Sequence, residues 1–188
     1  MEEHSLYQFT AGGRTYGAPE PIIDWPGMGV IETSRIHGYI GKPAPAIEAT
    51  WWFNVPRANG TLANGKELRQ IRRHMKNKVV LIDFWSTKCV PCVLGLSNLE
   101  QLWQQYRSDG LVVLGIHGHV DGAYDIEKVI SEKQLTFPIA YDNYQPPQIR
   151  FGGATSNKYG INIIPQQVLI DRRGIVRSDI SLEQVLKE

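Results

Sequence analysis

Cys89 and Cys92 are the only cysteines in this chain of 188 residues, spaced as Cys89-Val90-Pro91-Cys92. At that spacing two thiols can close a small disulfide ring or stand as a dithiol within one helical turn. The apolar run Val79–Trp85 before them reads as a strand buried on both faces, and the residues after them have helical spacing. Cys89 therefore falls at a helix N-terminus, where unpaired N–H groups and the positive end of the dipole stabilise a thiolate. That makes Cys89 the attacking nucleophile. Cys92, a turn later and more buried, resolves the mixed disulfide. Pro91 falls in the first turn, where the N–H it lacks would have no partner anyway.

Other chemistry for the pair is poorly supported. A zinc site needs two more ligands, and there is no further cysteine and no His-x₃₋₅-His pair. A purely structural disulfide of this ring size constrains little of the unfolded chain. Asp83 interrupts the apolar run two residues before Trp85. A carboxylate isolated there pays a desolvation cost that favours its protonated form, unless it is an acid at a strand edge or a loop cap. His117 and His119, two apart in Gly115-Ile116-His117-Gly118-His119, share one side if the strand continues. They are either a metal pair or a surface feature at the strand end.

The elements that must position these groups follow from periodicity and turn residues. Strands are expected over 46–53, Val79–Trp85, 111–116 and 137–141, with a hairpin of Gln166–Ile170 and 175–178 around Asp171-Arg172-Arg173-Gly174. Helices are expected over 66–75, 89–107, 126–135 and 181–187, the last capped by Ser181. Asn59-Gly60 and Asn64-Gly65 read as turns. Trp51-Trp52-Phe53 reads as core, and 141–147 as a loop bordering a groove. The order implies an α/β domain over 40–188, with a mixed sheet between helices. Residues 1–39, rich in glycine and proline, read as an irregular N-terminal arm.

Composition narrows the class. The 20 Lys and Arg against 19 Asp and Glu give a net charge of +1, which argues against nucleic acid or an anionic membrane surface as main partner. No apolar run approaches the roughly 20 residues of a membrane span. The start, Met1-Glu2-Glu3-His4, lacks the basic and apolar regions of a secretory signal, so the chain reads as cytosolic or as a fragment of an exported protein.

The segment 79–92, VVLIDFWSTKCVPC, resembles the active-site segment of the thioredoxin superfamily. Gly41-Lys42-Pro43-Ala44-Pro45, LVVLGIH at 111–117, Phe137-Pro138 and YGINIIPQQVLIDRRGIV at 159–176 together resemble its TlpA/ResA-like branch. The resemblance covers about 40–178. It implies a thioredoxin-like fold with an N-terminal β extension and a central insertion between Cys92 and Pro165. It also implies a thiol-disulfide oxidoreductase, a reductant rather than an oxidant, working without organic cofactor or metal. Its partners would be protein thiols and disulfides and an upstream redox protein, in an extracytoplasmic setting. Carried over by position, Cys89 and Cys92 are the redox pair, and Asp83 is the buried acid that moves a proton for the resolving thiol. Ile164 and Pro165 form the cis-proline edge that pairs with substrate, beside Trp85 and Pro91.

The departures are specific. Lys88 stands where thioredoxins usually carry tryptophan, and either stabilises the Cys89 thiolate or is simply solvated. Gly95 and Ser97 stand where a helix-kinking proline is common, and Val90-Pro91 replaces Gly-Pro. Two other functions share such a fold. A peroxiredoxin-like thiol peroxidase would carry Pro-x₃-Thr-x₂-Cys, whereas Thr87 lies only two before Cys89 and no proline precedes it. A copper-binding chaperone would need both cysteines and a histidine to converge.

Overall fold

The central strand shows why this chain folds as two layers of side chains on one sheet. In Val79–Trp85, the residues Val79, Leu81 and Trp85 pack into one hydrophobic cluster, while Val80, Ile82 and Phe84 pack into another. A continuous apolar run of period two is thus buried on both faces. The computed structural model describes residues 8–11, 14–17, 38–56, 62–65, 68–118, 126–143, 153–178 and 181–188.

In chain order the strands are β1 Gln8–Ala11, β2 Arg14–Gly17, β3 Ala49–Pro56, β4 Leu62–Gly65, β5 Val79–Trp85, β6 Leu111–His117, β7 Ile139–Asp142 and β8 Gln166–Ile170. The helices are α1 Leu68–Met75, α2 Val90–Tyr106, α3 Ile126–Glu132, α4 Ala154–Tyr159 and α5 Leu182–Lys187. Six strands form one sheet in the order β4-β3-β7-β6-β5-β8. β5, β6 and β7 run parallel, and β3, β4 and β8 make the antiparallel pairings. One face packs on Leu96, Leu99 and Leu102 of α2, Ile126 of α3, and Leu182 and Val185 of α5. The other packs on Ile71 of α1 and Tyr159 of α4.

β5 and β8 have the expected boundaries, and the others differ for local reasons. β3 begins at Ala49 and runs on to Pro56, because the preceding segment is held elsewhere: Ala44 N–H donates to Gly174 O and Gly41 N–H to Val176 O. Residues 175–178 are correspondingly not a strand but form bridges from Val176 to both Ile40 and Ile170. Asn64-Gly65 is not a turn. It ends β4, with Gly65 opposite Trp52, while Asn59-Gly60 lies outside the described residues. Helix α3 stops at Glu132 because Gln134 is left-handed and Leu135 N–H returns to Ile130 O. Helix α4 had no periodic signal at all.

α2 is continuous from Val90 to Tyr106, so Gly95 and Ser97 interrupt nothing. Of the Trp51-Trp52-Phe53 trio, Trp52 and Phe53 are core but Trp51 is 40% exposed. In the N-terminal arm, β1 and β2 form an antiparallel hairpin rather than irregular chain, with Gly12-Gly13 between them in sequence. No helix among the described residues is long and apolar enough to cross a membrane.

Candidate active site

The chain turns sharply as it leaves β5. Cys89 N–H donates to Ser86 O at 3.0 Å, and Lys88 N–H donates to Ser86 Oγ at 3.2 Å. Cys89 then adopts extended backbone as the N-cap of α2, where its Sγ accepts from Cys92 N–H at 3.3 Å. A sulfur thus takes the place usually held by a serine or aspartate oxygen. The two cysteines are joined as a disulfide with Cα atoms 5.2 Å apart. Cys92 is buried and Cys89 half-buried, the asymmetry expected of a resolving and an attacking sulfur.

Around Cys89 the surface is apolar. Val90 and Leu94, one turn apart on α2, are 68% and 66% exposed, and Pro91 beside them is exposed. Lys88 also projects to the surface. Across from them the Ile164–Pro165 peptide is cis, and Ile164 O lies 3.9 Å from Cys89 Sγ. Both residues are half-buried and lead directly into β8.

Asp83 lies on the sheet face that α2 covers, 2% exposed. Burial pushes its carboxyl up from 3.8 to about 7, opposed by a hydrogen bond from Gln167 Nε2 to Oδ1 at 3.1 Å. Gln167 was missed from sequence. It is one of two glutamines that open β8, and only the register of the folded sheet sets it opposite Asp83.

Two expectations need correction. Trp85, expected at the substrate surface, is fully buried. His117 is not a surface feature of the strand end. It is fully buried, with its ring edge-on to Trp85 at 4.9 Å and to Tyr141 at 5.7 Å, and its Nε2 accepts from Thr87 N–H at 2.9 Å. Tyr141, read as both the end of the strand 137–141 and the start of the loop 141–147, belongs to β7, while 144–147 and His119 lie outside the described residues. Among the described residues no group of three or more His, Cys, Asp or Glu could hold a metal.

The assembled parts are a disulfide whose first cysteine is half-buried at a helix N-terminus, exposed apolar side chains beside it, a backbone carbonyl 3.9 Å from its sulfur, and a buried acid on the sheet face that α2 covers. Such an arrangement can carry out thiol-disulfide exchange through the Cys89–Cys92 pair.

Comparison with known proteins agrees. The profile of the AhpC/TSA family matches residues 40–179. Protein DipZ of Mycobacterium bovis is 32% identical over 142 residues, 71% of this chain but 18% of DipZ. The thiol-disulfide oxidoreductase ResA of Bacillus thuringiensis subsp. konkukian is 26% identical over 116 residues, 62% of each chain. This chain therefore spans less than two thirds of either relative. A crystal structure of a thioredoxin-like superfamily protein superposes with a TM-score of 0.59 at 23% identity, covering 78% of this chain and 97% of that one. The fold is thioredoxin-like.

Proposed function

Since the chain belongs to the AhpC/TSA family, we propose that it is a thiol-disulfide oxidoreductase that exchanges its Cys89–Cys92 couple with cysteines of other proteins. The observation that carries this reading is the half-buried Cys89 sulfur, bonded to Cys92 across the first turn of α2 and facing Ile164 O. In the reducing direction the Cys89 thiolate attacks a substrate disulfide, forming a mixed disulfide and releasing one substrate thiolate. Cys92 then loses its proton and attacks the Cys89 sulfur. The second substrate thiolate leaves, and the Cys89–Cys92 disulfide is restored. Asp83 accepts the Cys92 proton, a task suited to a buried acid that titrates about pH 7. Ile164 and Pro165 with Val90, Pro91 and Leu94 receive the extended segment around the substrate cysteine.

The resemblance to the TlpA/ResA-like branch supports a reductant acting outside the cytoplasm, supplied with electrons by an upstream redox protein. Reduction of insulin disulfides by the chain in the presence of dithiothreitol tests the activity. The wild type should accelerate it and Cys89→Ser should not, whereas consumption of hydroperoxide instead would mark a peroxidase. A reduction potential near about −270 mV supports the reductant, and one near about −120 mV an oxidant.

A further inference from the structure

His117 ends β6 directly opposite Trp85, the last residue of β5. Both point to the sheet face that α2 covers, as do Asp83 and Gly115 one step below. Between Trp85 and Cys89 the chain has only three residues, Ser86, Thr87 and Lys88. Their path is held by Cys89 N–H to Ser86 O, Lys88 N–H to Ser86 Oγ, and Thr87 N–H to His117 Nε2. The first two are contacts of the loop with itself. The third ties it to another strand.

An imidazole nitrogen accepts an amide hydrogen only when it carries no proton, so the bond requires neutral His117 with its hydrogen on Nδ1. Protonation turns that nitrogen into a donor facing the Thr87 N–H at 2.9 Å, with Thr87 Oγ1, longer at 3.4 Å, as the acceptor it would have to turn to, so the bond that holds the backbone is lost. The other two acceptors, a carbonyl and a hydroxyl, do not titrate.

We infer that His117 is a positioning residue for disulfide exchange: its neutral imidazole anchors the Ser86–Lys88 loop and so seats Cys89 at the N-cap of α2, and protonation of the ring releases the loop. The inference rests on the thiol-disulfide reading above and adds to it a group that never touches substrate. With the loop seated, Cys89 Sγ faces Cys92 N–H and the helix N-terminus, the arrangement that stabilises its thiolate. With the loop released, that stabilisation is lost and attack slows. Of the titratable and charged groups on the elements packed here, Tyr141 of β7 touches the ring, Asp83 of β5 shares its sheet face, Lys88 lies at the surface of the loop, and Cys89 and Cys92 lie at the N-cap and first turn of α2. Asp83 is largely protonated below about pH 7, so in acid it gives the imidazolium no counter-charge.

Two variants of the full chain separate this from a packing role. His117→Phe keeps a ring against Trp85 and Tyr141 but removes the acceptor. His117→Gln keeps a side-chain acceptor that does not titrate. The readouts are the thiolate titration of reduced Cys89, followed by ultraviolet absorbance, and its rate with a small aromatic disulfide reagent from pH 5 to 8. His117→Phe should raise the thiolate midpoint and slow the neutral-pH reaction about tenfold, the loss of one hydrogen bond. His117→Gln should restore the rate to within about threefold. When each rate is divided by thiolate fraction, the wild type should still decline in acid and His117→Gln should not.

An unshifted thiolate titration in His117→Phe overturns the inference, as does a His117→Gln profile with the same residual acid decline as wild type. If His117→Phe fails to fold, the His117→Gln profile alone decides. Failure of the wild type to exchange with any disulfide would instead overturn the functional reading, while the thiolate titration still tests the anchor.

Discussion

Asp83 is the one ionisable group in β5, and its burial has opposite consequences for stability and chemistry. Its folded pKa of about 7 lies above the ordinary 3.8, so the folded chain holds this proton more tightly than the unfolded one. The stabilisation from this group is complete below about pH 4 and is lost as the pH rises through about 7. Asparagine keeps an acceptor for Gln167 and never ionises. Asp83→Asn should therefore match the wild type near pH 4 and exceed it by about 2–4 kcal/mol above pH 8, measured by denaturant unfolding across pH. The same variant should slow insulin reduction about 10- to 100-fold at neutral pH, because the proton acceptor is gone. Equal rates would leave Asp83 without a role in exchange. At Cys92, serine removes the resolving attack while leaving Cys89 free to attack. Cys92→Ser should accumulate reducible adducts with protein substrates on non-reducing gels. If Cys89→Ser accumulates them instead, the two roles are reversed.

Single elements depend on contacts that their own residues do not announce. Helix α4 starts under Asp142 of β7, whose carboxylate accepts from Thr155 N–H, Ser156 N–H and Ser156 Oγ–H. Gly153 lies against that carboxylate so closely that a Cβ would collide with it. Gly153→Ala should cost about 2–3 kcal/mol in unfolding free energy by forcing the two apart. The reduction potential of the cysteine couple should not follow, since α4 packs on the sheet face away from α2. At the other end of the chain α5 is secured by a reciprocal cap. Gln184 N–H donates to Ser181 Oγ, and Ser181 N–H donates to Gln184 Oε1. Ser181→Ala should lose about 1 kcal/mol in thermal or denaturant melts.

At the scale of the whole molecule, stability comes from two apolar layers on one sheet, and the redox bond adds little to them. The Cys89–Cys92 ring closes over a sequence separation of 3. So short a loop removes at most about 2 kcal/mol of unfolded-chain entropy. The double variant Cys89→Ser, Cys92→Ser should thus unfold within about 2 kcal/mol of the oxidised wild type. Leu102→Ala, in the layer between α2 and the sheet, should cost about 2–5 kcal/mol. A larger loss from the cysteine variant than from Leu102→Ala would mean that the disulfide holds the fold. The end of the sheet away from the cysteines is tied by Arg172, whose Nη2 donates to Asp109 O and Leu186 O. One side chain there joins the end of α5 to the turn before β6.

What could be read from the chain was whatever neighbours in sequence determine. The period-two burial of Val79–Trp85, the N-terminal position of Cys89 on a helix, the cost of Asp83 in an apolar run and the Ser181 cap each depend on residues within a few positions. The resemblance added Pro165 and its place opposite the cysteines. Tertiary structure decided the groups that meet from far apart: Thr87 with His117 across 30 positions, Cys89 with Ile164 across 75, and Asp83 with Gln167 across 84. His117 and His119 invited a metal or surface reading because, one strand at a time, nothing says which residue a neighbouring strand sets opposite. Register says so, and register is a property of the folded sheet: it turned His117 inward under Trp85 and onto the loop that carries Cys89.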